Sequence, residues 1–532
     1  MDFRNCTLGI ELGSTRIKAV IVNENNDPAA SGAYEWENVL SDGIWTYPME
    51  KITEGVQKCY SELKKNVREN YGETLNTVGA IGISGMMHGF FAFDRNWKLL
   101  TPFRTWRNTM TKESAERLTE LFSFNIPQRW SIAHLYQAML NKEEYLNDLS
   151  HLTTLSGYIH HLLTGENVLG IGEASGMFPI CSSKQNYDGF MEDSFEELRK
   201  TMGYNWSLHE ILPSVLKAGE QAGVLSEDGA RFLDPDGDLR AGIPLCPPEG
   251  DAGTGMVATN SVRVRTGNVS AGTSDFAMVV VEKNPGVHRE IDMVTTPSGL
   301  PVAMVHCNNC TSDINAWVNL LCEFGSLMGT EIDKNQAFSK LFSLALTGLK
   351  DGGGLMSVNY LSGEGITDFD EGRPLFFRTP DAEFTLANFM RTHLMSALAA
   401  LKIGLDILTV EEKVKIDTLY GHGGFFKTPE VGQTLLSAAI GTPVSVMKTA
   451  GEGGPYGMAL LAAYMLNKNE NESLEDYLDR KVFNEAESVT LMADEEETDG
   501  FRSFIKKYIA ALPVEKAAIL ADRGENGLCW KN

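Results

Sequence analysis

The chain has 532 residues, 43% hydrophobic and 22% charged, a composition that excludes global disorder in a length too great for a single core. Its 71 acidic against 46 basic residues leave a formal charge of −25, which repels phosphodiester backbones and anionic membranes and points to small-molecule partners rather than nucleic acid. The N-terminal text lacks an apolar signal core and the longest apolar run, MALLAAYML, falls far short of a membrane span, so the expected location is cytoplasmic.

Two strand-like runs, TLGIEL and KAVIVN, flank a turn at Gly13-Ser14-Thr15, and VSAGTSDFAMVVV repeats the pattern around Gly272-Thr273-Ser274. This is an internal duplication. Alone, either turn is equally an ordinary hairpin. Together, their free amides and hydroxyls form two anion nests suited to the two ends of one polyphosphate, with Arg16 as a local cation. Glu11, on the strand leading into the first turn, is a carboxylate suited to magnesium through water, or simply a strand-end residue facing solvent.

Helical text follows in ITEGVQKCYSELKKNVREN, then the strand VGAIGIS, the run FFAFD, and helical stretches over 111–122 and 133–165. Strands alternating with helices predict an α/β fold. Asp251, in PPEGDAGTGM, lies where the second copy begins. A carboxylate there can take the proton of a hydroxyl attacking a γ-phosphate, or merely cap the helix that follows.

The second half carries helical runs in DINAWVNLLCEF, KNQAFSKLFSLAL and RTHLMSALAALKIGLDIL. A strand, a glycine-rich turn and a helix then follow in IDTLYGHGGFFKTPEVGQTLL. Gly423 and Gly424 leave room for a ribose or adenine, with Lys427 as a nearby donor, although such turns also serve close packing alone. Beyond 468 the text is acidic, yet Phe501, Phe504, Ile505, Tyr508, Ile509 and Leu512 recur at helical spacing and predict a docking helix. The eight cysteines lack the density of a disulfide framework, and the one CxxC, Cys307 and Cys310, lacks a second ligand pair for zinc.

These motifs, in this order, resemble the FGGY family of carbohydrate kinases. GIELGSTRIKAVIV resembles its first phosphate motif, EGDAGTGM its catalytic-Asp turn, SAGTSDF its second phosphate motif, NYLSGEGIT a segment common in these kinases, and GHGGFFKTPEVGQTLLSAAIGTPV its adenosine motif through Gln433. The resemblance implies two RNase-H-like domains of the actin, Hsp70 and hexokinase type around an interdomain cleft. The expected division is an N-terminal domain over 1–255, a C-terminal domain over 256–468 and an acidic extension over 469–532. It implies ATP and magnesium, with Asp251 as base and in contact with the sugar. Gly13, Ser14, Thr15, Arg16, Gly272, Thr273, Gly423, Gly424, Lys427 and Gln433 fall on the ATP side, and Glu11 beside the metal.

Within the family the chain is most similar to the xylulose-phosphorylating branch. GISGMMHGFFAFD supplies its Met87-His88-Gly89 turn, and LTGENVLGIGEASGMF its following stretch, so Met87 and His88 are expected to touch a ketose. Three departures stand out. Glu11 replaces the usual Asp. The sugar-side Trp-x-Asp-x-Arg segment reads Trp106-Arg107-Asn108-Thr109-Met110, which exchanges a carboxylate for an amide and loses a cation. The helix RTHLMSALAALKIGLDIL lacks the usual acidic residue and glycine. The reading is therefore an ATP-dependent kinase for D-xylulose or a related ketopentose. Alternatives are a kinase for L-ribulose, L-xylulose or glycerol, a sugar- and ATP-binding regulator of the same fold, and an assembly or peptide-binding ATPase. A homodimer is left open.

Overall fold

Thr7–Leu12 and Arg16–Val22 pair antiparallel from Thr7↔Val22 to Leu12↔Ile17, which leaves Gly13 to Thr15 as the turn. The structure, a computed structural model, describes residues 1–447 and 453–523. Ala80–Gly85 joins Thr7–Leu12 in parallel, Glu249–Gly250 joins Ala80–Gly85 in parallel, and Pro28–Glu35 closes the opposite edge. The middle strands are almost continuously buried because both faces of this sheet are covered.

On one face lies the helix Met49–Tyr71, whose Ile52, Val56, Cys59, Leu63 and Val67 form the buried stripe of an amphipathic helix. It sits so close to Pro28–Glu35 that a Cβ at Gly32 would stand 2.5 Å from the Cys59 carbonyl oxygen. Gly72, at φ 69°, ends the helix in the left-handed conformation. The other face carries the helix Gly453–Asn467: Thr7 Oγ1 donates to the Ala459 carbonyl at 2.8 Å, and a Cβ at Gly9 would meet the Pro455 carbonyl at 2.1 Å.

The second sheet repeats this order. Thr266–Ala271 and Asp275–Val280 form an antiparallel hairpin, Thr418–His422 runs parallel to its first strand, and Val444–Met447 runs parallel to Thr418–His422. Ser488–Leu491 adds an antiparallel edge. The duplication read from the two turns is thus a duplication of topology, hairpin then parallel strand then parallel strand.

The chain divides into two compact units. Unit one comprises Met1–Arg263, Val287–Val302 and Glu452–Ala486; unit two comprises Val264–Gly286, Ala303–Gly451 and Glu487–Asn532. These units are discontinuous and differ from the consecutive segments 1–255, 256–468 and 469–532. The physical reason is the Gly453–Asn467 helix, which covers the first sheet. Nor is the acidic text beyond 468 an appendage. Its helix Glu495–Asp522 buries Phe501, Phe504, Ile505 and Tyr508 within unit two, while Ile509, 50% exposed, faces outward.

The predicted 133–165 helix is two helices, Ser131–Leu140 and Leu155–Thr164, separated by the short strand His151–Thr153. Among the described residues no single helix is long and apolar enough to cross a membrane.

Candidate active site

In unit one the first turn is held from behind. Trp36 Nε1 donates to the Gly13 carbonyl at 2.7 Å, the Tyr47 hydroxyl to the Ser14 carbonyl at 2.6 Å, and the Trp36 amide to the Thr15 carbonyl at 3.2 Å. The Trp36 and Tyr47 rings stack at 4.2 Å. With all three carbonyls anchored to this aromatic pair, the Ser14 and Thr15 amides and hydroxyls remain available to an anion. Arg16, expected to assist them, instead pairs with Glu35 at 2.6 Å on the strand beside it.

The Ala80–Gly85 strand runs into Met86, whose amide donates to the Leu12 carbonyl at 3.0 Å, so the following turn is fastened to the root of the hairpin. Met87 then donates its amide to Asp251 Oδ1 at 3.2 Å. His88 sits at φ 69°, a strained backbone for a non-glycine residue, with Nδ1 3.2 Å from the Gly176 carbonyl and its ring stacked over Trp130 at 6.2 Å. Asp251 opens the helix Asp251–Ala258. Gly250 occupies the cap position in its stead, so Asp251 does not cap its own helix with its side chain. Burial pushes the Asp251 carboxyl up to about 6 against the pull of the Met87 amide.

Glu11 lies on the same side. Its carboxyl is pushed up to about 7, first by burial and then by the charge of Asp251. It abuts the start of the Gly453–Asn467 helix, where a Cβ at Gly454 would stand 1.6 Å from Glu11 Oε2. A carboxylate this poorly solvated, beside a second one, fits a divalent cation that keeps most of its water shell. Among the described residues no set of three or more His, Cys, Asp or Glu side chains is placed to hold a metal on its own.

In unit two the second turn is also held from behind, by different groups. The Gly272 carbonyl accepts from the Thr311 amide at 3.0 Å and hydroxyl at 2.6 Å, and the Thr273 carbonyl from the Cys310 amide at 3.0 Å. Gly423, at φ 94°, crosses this hairpin so closely that a Cβ would lie 2.5 Å from the Ala271 carbonyl oxygen, whereas a Cβ at Gly424 would meet open space. Lys427 is exposed just beyond. Burial pushes His422 down to about 4, which keeps it neutral beside Asn268.

Two expected ligand contacts turn out to be structural. Asn108, 2% exposed, accepts the Trp45 amide at 2.9 Å and donates to the Trp45 carbonyl at 2.8 Å and the Thr105 carbonyl at 2.9 Å. A carboxylate could accept that amide but would repel both carbonyls, which explains the amide at this position. Trp106 is half-buried against the core of unit one, and Arg107 lies 4.0 Å over the Trp45 ring. Gln433, 4% exposed, donates Nε2 to the Val444 and Val489 carbonyls at 3.1 and 2.6 Å. Its Nε2 ties two strands together.

Two residues the sequence reading passed over are Glu173 and Glu249. Both are buried, at 0% and 1% exposure, directly behind Asp251. Each stands inside a motif already quoted, IGEASG and PPEGDAG, and a charged residue among small ones was the available signal. A cavity of about 610 Å³ beside Tyr60, Tyr158 and Asp234 shares no lining residue with these sites.

The description "FGGY family of carbohydrate kinases, N-terminal domain" matches residues 6–255, and the C-terminal domain of the same family matches residues 267–466. The chain is 20% identical to a xylulose kinase of Haemophilus influenzae over 421 residues, 75% of this chain and 79% of that protein. It is 21% identical to the Escherichia coli xylulose kinase over 52% of this chain and 54% of that protein. Its fold superposes on a ligand-bound xylulose kinase of Lactobacillus acidophilus with a TM-score of 0.77 at 17% identity, covering 96% and 98% of the two chains. It superposes on a Plasmodium falciparum glycerol kinase with ADP at a TM-score of 0.73 and 16% identity, covering 95% and 98%. From these two domain matches, the chain belongs to the FGGY family of carbohydrate kinases and is a sugar kinase, a phosphotransferase.

Proposed function

We propose that this sugar kinase transfers the γ-phosphate of ATP to a hydroxyl of a ketose, with D-xylulose as the first candidate acceptor and Asp251 as the base. The observation that carries the reading is the Asp251 carboxylate, fixed by the Met87 amide at the turn that holds His88 and ionised above about pH 6. The acceptor hydroxyl gives its proton to Asp251 as its oxygen attacks the γ-phosphorus. The bond to the β-phosphate oxygen breaks and ADP leaves.

The Ser14 and Thr15 amides and hydroxyls of unit one would meet phosphate charge, and the second turn of unit two offers donors of the same kind. Magnesium, held through water by Glu11, would neutralise charge on the polyphosphate when bound. Gly423 and Gly424 leave the Thr418–His422 strand end open to the nucleoside, with Lys427 beside it. D-xylulose is supported by the xylulose kinases among the relatives. Gluconate and glycerol kinases share the fold, so other polyols belong in the same test. ATP use points to a cytoplasmic enzyme.

A coupled ADP-release screen across ketopentoses, ketohexoses, gluconate and glycerol tests the reading, with Asp251→Asn as control. Loss of a general base costs about 10²- to 10⁴-fold, so the variant is expected to fold and to lose turnover on that scale. An active Asp251→Asn would remove Asp251 from the mechanism. A flat screen with ATP still bound would favour the regulator.

A further inference from the structure

Behind Asp251, two acidic side chains exchange places across two segments. Glu249 belongs to the short strand that delivers Asp251, and its carboxylate reaches the start of the short helix Ile171–Ala174. There it accepts the Gly172 amide at 3.3 Å and the Glu173 amide at 2.8 Å. Glu173, on that helix, reaches back: its Oε2 lies where a Cβ at Gly250 would come within 2.5 Å. Neither oxygen of Glu173 completes a hydrogen bond, although the Thr154 hydroxyl lies close enough to favour its charged form.

The fit leaves no slack. A Cβ at Gly170 would stand 2.2 Å from Glu249 Oε1 and one at Gly172 2.4 Å from Oε2. Three glycines are thus required by two carboxyls. The turn after this helix leads to Gly176, where the carbonyl faces His88 Nδ1 and a Cβ would press on that nitrogen at 2.7 Å and on Met87 Cε at 2.9 Å.

We infer that Glu249, gripping the Gly172 and Glu173 amides while the Glu173 carboxyl packs against Gly250, forms a clasp that positions the base and the acceptor turn relative to one another, so that Asp251 and His88 move as one body. The inference rests on the proposed role of Asp251 and His88 at the acceptor. Isolated charges do not belong in such a place: burial pushes Glu249 up to about 8 and holds Glu173 well above the carboxylate range. A pair of carboxyls kept there at such cost to stability is the pattern of a group retained for geometry.

The test uses the full chain with Glu249→Gln and Glu173→Gln, which keep size and remove the carboxyl. With D-xylulose, or whichever acceptor the screen identifies, either variant is expected to lose about tenfold in kcat or gain about tenfold in acceptor KM. The KM for ATP should stay within twofold. Hydrogen exchange should rise at least tenfold both at 170–176 and at 86–89, and stay unchanged in the 266–280 hairpin. Parallel changes in both KM values, or faster exchange confined to 170–176, would overturn the clasp. Asp251→Asn, run beside them, reads the base assignment separately: its activity would sink that role and leave the exchange result standing. If no acceptor is turned over, exchange alone decides.

Discussion

The two units run the same topological programme and diverge at one place. In both, a hairpin turn offers amides and the next parallel strand ends in a tight turn. In unit one that turn is Met87-His88-Gly89, side chains on a strained backbone; in unit two it is Gly423-Gly424, backbone without side chains. On the proposed function, the repeated part serves phosphate, and the divergent part serves a sugar in one unit and a nucleoside in the other. The backing of the hairpins differs as well. Aromatic side chains anchor the carbonyls of the first turn, and amides and hydroxyls of Cys310 to Ser312 anchor those of the second.

The sharpest way to break this comparison is at the second strand end. Gly423→Ala must displace the Ala271 backbone and hold a positive φ, whereas Gly424→Ala enters open space. We expect at least a tenfold rise in the KM for ATP for the first and less than twofold for the second, with acceptor KM steady in both. Equal effects would show that close backbone approach is not what this turn provides.

A smaller effect separates the two backings. Tyr47→Phe deletes the Ser14 carbonyl's anchor and should cost about 1 kcal/mol in ATP affinity, roughly fivefold. Thr311→Val removes one of two donors to the Gly272 carbonyl and leaves the amide, so a change below about twofold is expected. Isothermal titration with ATP measures both. A Thr311→Val defect as large as that of Tyr47→Phe would mean the hydroxyl, not the main chain, holds the second turn.

The last effect is on stability, and both units carry it: burial also raises Glu364 and Glu515 of unit two to about 7. Glu11, Asp251 and Glu249 are all held above their ordinary values, at about 7, 6 and 8. The folded chain therefore keeps protons that the unfolded chain has released, so their contribution to stability falls as pH rises from about 4 to about 8. The melting temperature should decline over that range, and Glu249→Gln should flatten its upper part. A wild-type profile that rises through it would contradict the assignment.

What the sequence displayed was local. Each hairpin, the Asp251 turn and the glycine-rich strand end lie within a dozen residues, where turn chemistry and strand text sit side by side. The misread residues depend on partners far along the chain. Asn108 answers to Trp45 and Gln433 to Val489, so an amide in a familiar motif looked like a ligand contact when its hydrogen bonds were already taken. The Glu173 and Glu249 pair is 76 residues apart and exists only once the sheet has formed. Ile509 was counted into the docking stripe by periodicity, which locates a face only to within a residue or so of its edge.

The helix Gly453–Asn467 has a consequence for how the protein is made. It covers Thr7–Leu12, and Gly9 leaves it no room for error, yet it is synthesised some four hundred residues later. At a translation rate of about 5–20 residues per second, the first sheet waits tens of seconds with one face uncovered. Until the helix arrives, the face that carries Thr7, Gly9 and Glu11 lacks its cover. A chain stopped near residue 255 would keep that face open, so a ribosome stalled there releases an unfinished first unit rather than half an enzyme.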